Sequence, residues 1–300
     1  MRSHAKLAYE TVRPADLPPE LHELARRVDA AEDARGAPRV EFPEQELVDE
    51  DGHWALRFDP RLASEDVNAG LSLATNLAVA DALLAAQTGL FRVMPEPTEG
   101  AVRRLRQTAL AFGLAWPAAQ SLADFQRGLR TDDPRAAAFL LAVRRAGGGA
   151  SYEPYSQDAT PWHAAMAAAY AHATAPLRRL ADRYVVEAVL AIANGQVVPD
   201  EVTAAFGDLP TAMAKGEQRA NGVERAVIDL AEAVLLAERI GSVFDAVVVD
   251  EDRRGAVVQL VEPAVLARVA ADGVEPGDAV RVRLVAVDAV ARTIEFSRIG

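Results

Sequence analysis

The sequence predicts an α+β protein: a helix-rich body followed by a small β-barrel. Three observations predict it. Apolar residues recur at helical spacing from Ser64 to about Glu238. From Gly241 onward the period changes to short β-branched runs. Ahead of both, residues 1 to about 60 mix alternating apolar and polar segments with one amphipathic helix.

Each element follows from local chemistry. Pro14, Pro18 and Pro19 end the opening segment, and Glu20 to Asp33 places Leu21, Leu24 and Val28 on one helical face. Val40 to Phe42, Glu46 to Val48 and Trp54 to Phe58 alternate as half-buried strands do, with Asp49-Glu50-Asp51-Gly52 as a hairpin turn. Ser64 with Glu65 and Asp66 predicts a cap and an acidic first turn for a long buried helix reaching Gln87. Its apolar run, Leu71 to Leu84, is interrupted by Ser72, Thr75, Asn76 and Asp81, and so reads as too short and too polar to span a bilayer. Helices follow over Glu99 to Phe112, Ser121 to Gly128 and Asp133 to Arg145, the last ending in Gly147-Gly148-Gly149. No Gly-Lys-Ser/Thr follows those glycines, so they are no nucleotide loop. Ser151 to Ala159 is a polar loop carrying Tyr152 and Tyr155.

A proline-led helix is then predicted from Pro176 to about Asn194, and two more over Pro199 to Phe206 and Leu209 to Arg239. Strands are predicted at Val243 to Val249, Ala256 to Leu260, Ala279 to Val287 and Thr293 to Ser297. Turns separate them at Asp250 to Gly255, at Glu275-Pro276-Gly277-Asp278 and at Asp288 to Arg292. The division expected is 1–240 for the body and 241–300 for the barrel.

Composition narrows the function classes. Three hundred residues suffice for two domains with real cores, and 50% apolar with 25% charged is ordinary for a globular chain. Without cysteine there is no disulfide and no thiolate metal site, which is compatible with a cytoplasmic protein. The first residues are polar, unlike a secretory signal. A net charge of -12 argues against a broad basic surface for nucleic acid, though not against a narrow basic channel. His4, His22, His53, His163 and His172 show no metal-ligand spacing. Arg103-Arg104-Leu105-Arg106 reads as a solvated helix face.

The densest motif is Tyr170-Ala171-His172-Ala173-Thr174-Ala175-Pro176-Leu177-Arg178-Arg179-Leu180-Ala181-Asp182. Free N–H groups at a helix start together with two guanidinium forks suit a phosphate. By spacing alone the same residues read as a capped helix with solvated arginines. Their order resembles the His-x-Thr-(Ser/Ala)-Pro-(Ile/Leu)-Arg-Arg-x-x-Asp signature of the RNB family, the ribonuclease II type of 3′-to-5′ exoribonuclease. Arg2-Ser3-His4-Ala5-Lys6-Leu7-Ala8-Tyr9 is similar to the family's Arg-Ser-x-Ala-x-Leu-x-Tyr segment. Arg35-Gly36-Ala37 with Glu41-Phe42-Pro43-Glu44, Gly89-Leu90-Phe91-Arg92-Val93, and Arg219-Ala220-Asn221-Gly222-Val223-Glu224-Arg225 resemble further family segments, in the family's order. Gly277-Asp278 and the closing Ile294-Glu295-Phe296-Ser297 resemble the OB barrel that ends these enzymes.

The resemblance implies single-stranded RNA as partner, Mg²⁺ as cofactor, and hydrolysis to nucleoside monophosphates; no membrane is expected, and no protein partner can be inferred. The family's metal-holding aspartate cluster lies upstream of the Arg-Ser segment, at which this sequence starts. None of the 300 residues reproduces its spacing, so the Mg²⁺ ligands are absent. Either an upstream stretch supplies them, the expected case, or the chain keeps the RNA-holding half alone. Carried over residue by residue, Arg178 matches the arginine that contacts the terminal phosphates, Arg179 is a weaker RNA contact, and Glu224 approaches the scissile site. Tyr9 matches a tyrosine near the RNA end. Asp182, four after Arg178, orients that arginine, and His172 is a hydrogen-bonded packing residue. Without the resemblance, Glu224 reads as a surface pair with Arg225 and Tyr9 as half-buried core. Asn68-Ala69 stands where relatives carry two glutamates, which implies altered end recognition. In the barrel, RNA contact would rest on Arg253, Arg254, Arg268, Arg281 and Arg283, because Phe244 and Phe296 read as core. Arg281 and Arg283 share one strand face.

Overall fold

The computed structural model describes residues 5–38, 44–50, 53–59, 62–129, 133–252, 255–260, 263, 265–270, 273–275 and 278–299. The elements are α1 (Pro19–Arg35), β1 (Glu44–Glu50), β2 (His53–Asp59), α2 (Ala63–Ala85), β3 (Leu90–Val93), α3 (Glu99–Ala111), α4 (Leu122–Arg127), α5 (Pro134–Ala146), β4 (Ser151–Pro154), α6 (Leu180–Ala193), α7 (Asp200–Leu236), β5 (Val243–Asp252), β6 (Gly255–Leu260), β7 (Leu266–Val269), β8 (Ala279–Asp288) and β9 (Thr293–Ile299). They form two compact units, one of residues 1–39, 60–96 and 148–217, the other of 40–59, 97–147 and 218–300.

In the first unit α1 packs on α2 and α2 on α6. Beside them β3 and β4 make an antiparallel pair running from Leu90↔Pro154 to Val93↔Ser151. The core joins Leu83, Leu90, Phe91, Tyr152, Val185, Val202 and Phe206. Gly89 opens β3 at φ 115°, and a Cβ there would lie 2.8 Å from the Leu83 side chain, so only glycine fits this turn.

In the second unit β1 and β2 pair as an antiparallel hairpin. Helices α3, α4 and α5 gather Leu105, Phe112, Phe125, Phe139 and Val143, together with Val249 of β5. The five last strands, in the order β7-β6-β5-β8-β9, form a nearly closed antiparallel barrel. Bulges between Val248 and Asp250 and between Leu284 and Ala286 bend its strands. Its interior is Phe244, Val248, Val258, Leu260, Val282, Leu284 and Phe296, closed by Leu236 of α7. Gly255 (φ 122°) approaches so closely that a Cβ would meet the Val269 carbonyl oxygen.

Several expectations are corrected. Ser64 is not a cap: α2 starts one residue earlier, and Glu65 caps it by accepting from the Leu62 N–H at 2.9 Å. The Ser64 hydroxyl instead donates to the Tyr9 carbonyl at 2.8 Å. Nor is α2 buried along its length, since only Asn76, Ala80 and Leu83 are. By length and composition alone α2 is also apolar enough to cross a membrane, contrary to the reading of its sequence; its inner face nevertheless serves the first unit's core. Residues 151–154 are a strand rather than part of a loop, held because Tyr152 is buried. The helices expected on either side of Gly207 are one helix, α7, with Pro210 inside it. The lost hydrogen bond is tolerated because Phe206, Leu209 and Met213 are buried on one face across the proline. Strand β7 was not expected; it is only four residues long. Val40 to Phe42, Asp51, Gly52, Arg253 and Arg254 lie outside the described residues.

Candidate nucleic-acid interface

The signature segment runs as extended chain and turn before it becomes helix. Residues 176–178 form a turn, Arg179 is the N-cap of α6, and the helix starts at Leu180. The predicted placement of both arginines inside a proline-led first turn is therefore corrected. The Ala175 carbonyl receives the backbone N–H groups of Arg178 (3.1 Å) and Arg179 (2.9 Å), closing a tight turn that leaves Arg178 exposed.

Asp182 sits beneath that turn, fully buried. Its Oδ2 accepts from the Ala175 N–H at 2.7 Å and from Arg179 Nη2 at 2.8 Å. It therefore orients Arg179, three residues back, and not Arg178 as the spacing suggested. Arg179 Nη2 also reaches Thr174 Oγ1 at 3.4 Å. The guanidinium and the backbone donor offset part of the cost of burying this carboxylate, while Asp182 Oδ1 and Arg179 Nε are buried without hydrogen-bond partners. Arg179 is thereby committed to the fold, its side chain only 18% exposed.

A second support comes from α2. Asn76 is buried; its Oδ1 accepts from the Ala173 N–H at 2.9 Å. Its Nδ2 donates to Tyr170 Oη at 2.8 Å and reaches Thr174 Oγ1 at 3.5 Å. A third support is a chain of rings. His163, Tyr170, His172 and Tyr152 meet edge to face with centroids 5.5, 5.2 and 5.8 Å apart in turn. Such T-shaped contacts add to area burial. Tyr152 Oη and His172 Nδ1 share a hydrogen bond of 2.8 Å.

The chain of rings ends on Arg92 of β3, whose guanidinium lies 4.6 Å from the Tyr152 centroid and 2.9 Å from Glu217 Oε1. The Arg92 N–H also donates to the Tyr170 carbonyl at 2.8 Å.

The electrostatics of this cluster are those of a cationic site. Burial lowers the His172 pKa to about 3, assisted by the charges of Arg179, Arg92, His163 and Arg178. Burial likewise lowers His163 to about 4, with help from Arg92. Burial pushes Tyr152 up to about 12 against the pull of Arg92 and Arg179. At neutral pH both histidines are neutral, so the positive charge is carried by Arg92, Arg178 and Arg179, the first paired with Glu217 and the last with Asp182. Of these Arg178 is exposed. Chemically the arrangement can offer an anion the exposed Arg178 guanidinium on a turn whose backbone is held by Ala175.

It does not fit Mg²⁺, which takes a set of oxygen ligands. Among the described residues no three histidine, aspartate or glutamate side chains gather where an ion could sit.

The other expected residues stand elsewhere. Tyr9 is 44% exposed and tied to the start of α2, with Asn68 Nδ2 donating to its Oη at 2.9 Å. Glu224 is exposed on the part of α7 in the second unit. Arg281 and Arg283 are exposed on β8, while Phe244 and Phe296 are buried 5.8 Å apart in the barrel. The face of α3 expected to be solvated is only partly so. Arg106 lies 4.1 Å over the Trp116 ring and donates to the carbonyls of Pro117, Ala118 and Gln120.

Comparison with known families decides the identity. The RNB domain matches residues 4–194, and the RNase II-type exonuclease C-terminal S1 domain matches residues 242–299. The chain belongs to the RNB family.

Its fold is similar to RNase R of Mycoplasma genitalium in complex with ribose methylated single-stranded RNA, with TM-score 0.79 and 18% identity over 93% of this chain and 49% of that one. It is similar also to the Dss1 exoribonuclease of Candida glabrata (TM-score 0.69, 12% identity, 99% of this chain and 38% of that one). Yeast Ssd1, described as a pseudonuclease, gives TM-score 0.60 and 17% identity over 96% of this chain and 36% of that one. The chain thus spans about half the length, or less, of these RNB-fold proteins. No curated protein sequence matches it closely enough to count as a relative.

Within the RNB signature, sequence reasoning named Arg178, Arg179, His172 and Asp182 but not the residues that support them. Asn76 was noted only as a polar interruption of an apolar run. A buried position for it was legible from that setting, since an amide inside an apolar stripe needs partners. Nothing local in the sequence pointed from Arg92 to Glu217.

Proposed function

We propose that this RNB chain holds single-stranded RNA by its 3′ end, with Arg178 on the terminal phosphates, in the service of 3′-to-5′ hydrolysis to nucleoside monophosphates. The observation that carries this reading is the turn closed on Ala175, which leaves Arg178 exposed beside Arg179 and Asp182 locked below it. An exposed guanidinium carried on a turn whose backbone is held can meet a phosphate with two N–H donors. The RNA in the first-named RNase R structure supports the same partner by family likeness. The barrel, with Arg281 and Arg283, would bind the strand further along. Full activity is expected only where upstream metal-binding aspartates complete the site.

A second reading is an RNA-binding or regulatory protein on a scaffold that no longer cuts. It is favoured by the likeness to a pseudonuclease.

End-labelled single-stranded RNA with Mg²⁺ separates the two. The 300-residue chain should bind RNA and shorten it little, and Arg178→Ala should weaken binding by about 1.5–3 kcal/mol, the range for hydrogen bonds to charged groups. A form extended by an aspartate-bearing segment should degrade the RNA from its 3′ end. If the extended form binds but never cuts, the second reading stands; binding indifferent to Arg178→Ala would defeat both.

A further inference from the structure

Resting on the proposed role of Arg178, we infer that Asn76 is the positioning residue that fixes where Arg178 meets RNA. Asn76 belongs to α2, far from the signature in sequence, yet its carboxamide makes two close hydrogen bonds and one long one to it. It accepts from the Ala173 N–H, donates to Tyr170 Oη and reaches Thr174 Oγ1. From there the restraint is passed on through neighbouring groups. Thr174 Oγ1 accepts from Arg179 Nη2, Asp182 Oδ2 takes both that guanidinium and the Ala175 N–H, and the Ala175 carbonyl receives the Arg178 N–H. No step of this path is more than 3.5 Å.

The cost of burying an amide makes the geometry exacting. Asn76 is 2% exposed, so each of its polar atoms must be matched inside the protein. The signature supplies those partners only while Tyr170, Ala173 and Thr174 hold their present positions. Asn76 thus selects one conformation of a segment that is otherwise extended chain and turn. It touches no exposed surface itself, so its effect on RNA must pass through the turn that carries Arg178.

The test compares two ways of damaging α2. Asn76→Ala removes the restraint; Leu83→Ala removes apolar packing on the same helix, where Leu83 is fully buried in the same core but bonds nothing in the signature. The full chain is titrated with a fluorescein-labelled oligoadenylate at a temperature below both melting transitions, alone and in the Arg178→Ala background. Asn76→Ala should lower affinity about tenfold, equivalent to about 1.4 kcal/mol, and should lower it far less once Arg178 is already alanine. Leu83→Ala should lower the melting temperature with affinity kept.

Equal loss of affinity in both variants, or additive loss with Arg178→Ala, overturns the inference. Should Asn76→Ala not fold, Tyr170→Phe removes one of its partners and should show the same dependence on Arg178, more weakly. Failure of the underlying reading looks different, because Arg178→Ala alone would then leave RNA affinity unchanged.

Discussion

The charged groups of the signature segment and those of the barrel are built on opposite plans. In the first unit Asp182 and Asn76 lie under the turn they support, at 0% and 2% exposure, and Arg179 is clamped between Thr174 and Asp182. In the barrel Phe244, Val248, Leu284 and Phe296 belong to one apolar core, and Arg281 and Arg283 stand exposed on β8. The difference teaches where fold and binding can be separated. Where a polar group is buried to hold another, its removal harms both together. Where it stands on a finished core, it can be removed with little structural cost.

The hardest test of that contrast is Asp182→Ala. It would strand the buried Arg179 guanidinium and the Ala175 N–H, and loss of one partner of a buried pair costs about 3–5 kcal/mol. A urea titration should show a clearly lower midpoint with little change of slope. Arg283→Ala, measured alongside, should stay within about 0.5 kcal/mol of the parent. If the two variants melt alike, the contrast between the two plans is wrong.

Acid should weaken the signature before it weakens the barrel, which contains no histidine. His172 and His163 have folded pKa values lowered to about 3 and about 4 from an ordinary 6.5. Below about pH 6.5 the unfolded chain therefore takes up protons on these rings while the folded chain does not. Their contribution to stability is complete above that pH and falls as the pH drops towards 4. Hydrogen exchange at pH 7 and pH 5 should show protection lost first across residues 163–193 and retained longer across 243–299. His172→Gln should flatten that dependence; an unchanged dependence would remove His172 from the cause.

What the sequence disclosed follows the same division. Elements with their own punctuation were legible. Thr98, Ser121 and Asp133 cap α3, α4 and α5 through their side chains, and Gly128 and Gly147 end α4 and α5. The barrel strands showed in their alternation, except the four residues of β7, which carry too little pattern. Tertiary partners overrode local signals elsewhere. Pro210 reads as a break and is not one, because the buried face of α7 continues through it.

Likewise Pro176 reads as a helix start, but the hydrogen bonds of Ala175 and Asp182 hold it in a turn ahead of the helix. The signature's order pointed to Arg178 and Arg179. The pairing of Asp182 with Arg179 instead of Arg178 depended on where the helix begins, a boundary no spacing rule resolves.

The smallest expected effects lie in the barrel, and they distinguish its two arginines from each other. On β8, Arg281 lies directly across from Asp245 of β5, whereas Arg283 lies between Val243 and Ser297 on the two neighbouring strands. A carboxylate opposite on the same exposed face offsets part of Arg281's field. Arg283 has no such neighbour across either ladder. Each phosphate contact on a single strand adds about 0.7 to the slope of log affinity against log salt. Arg283→Ala should therefore lower that slope by nearly this amount and Arg281→Ala by less, with melting unchanged in both. Asp245→Asn should steepen the slope of the parent and bring Arg281 level with Arg283. If Arg281→Ala has the larger effect, the RNA strand does not track β8 as the exposed arginines suggest.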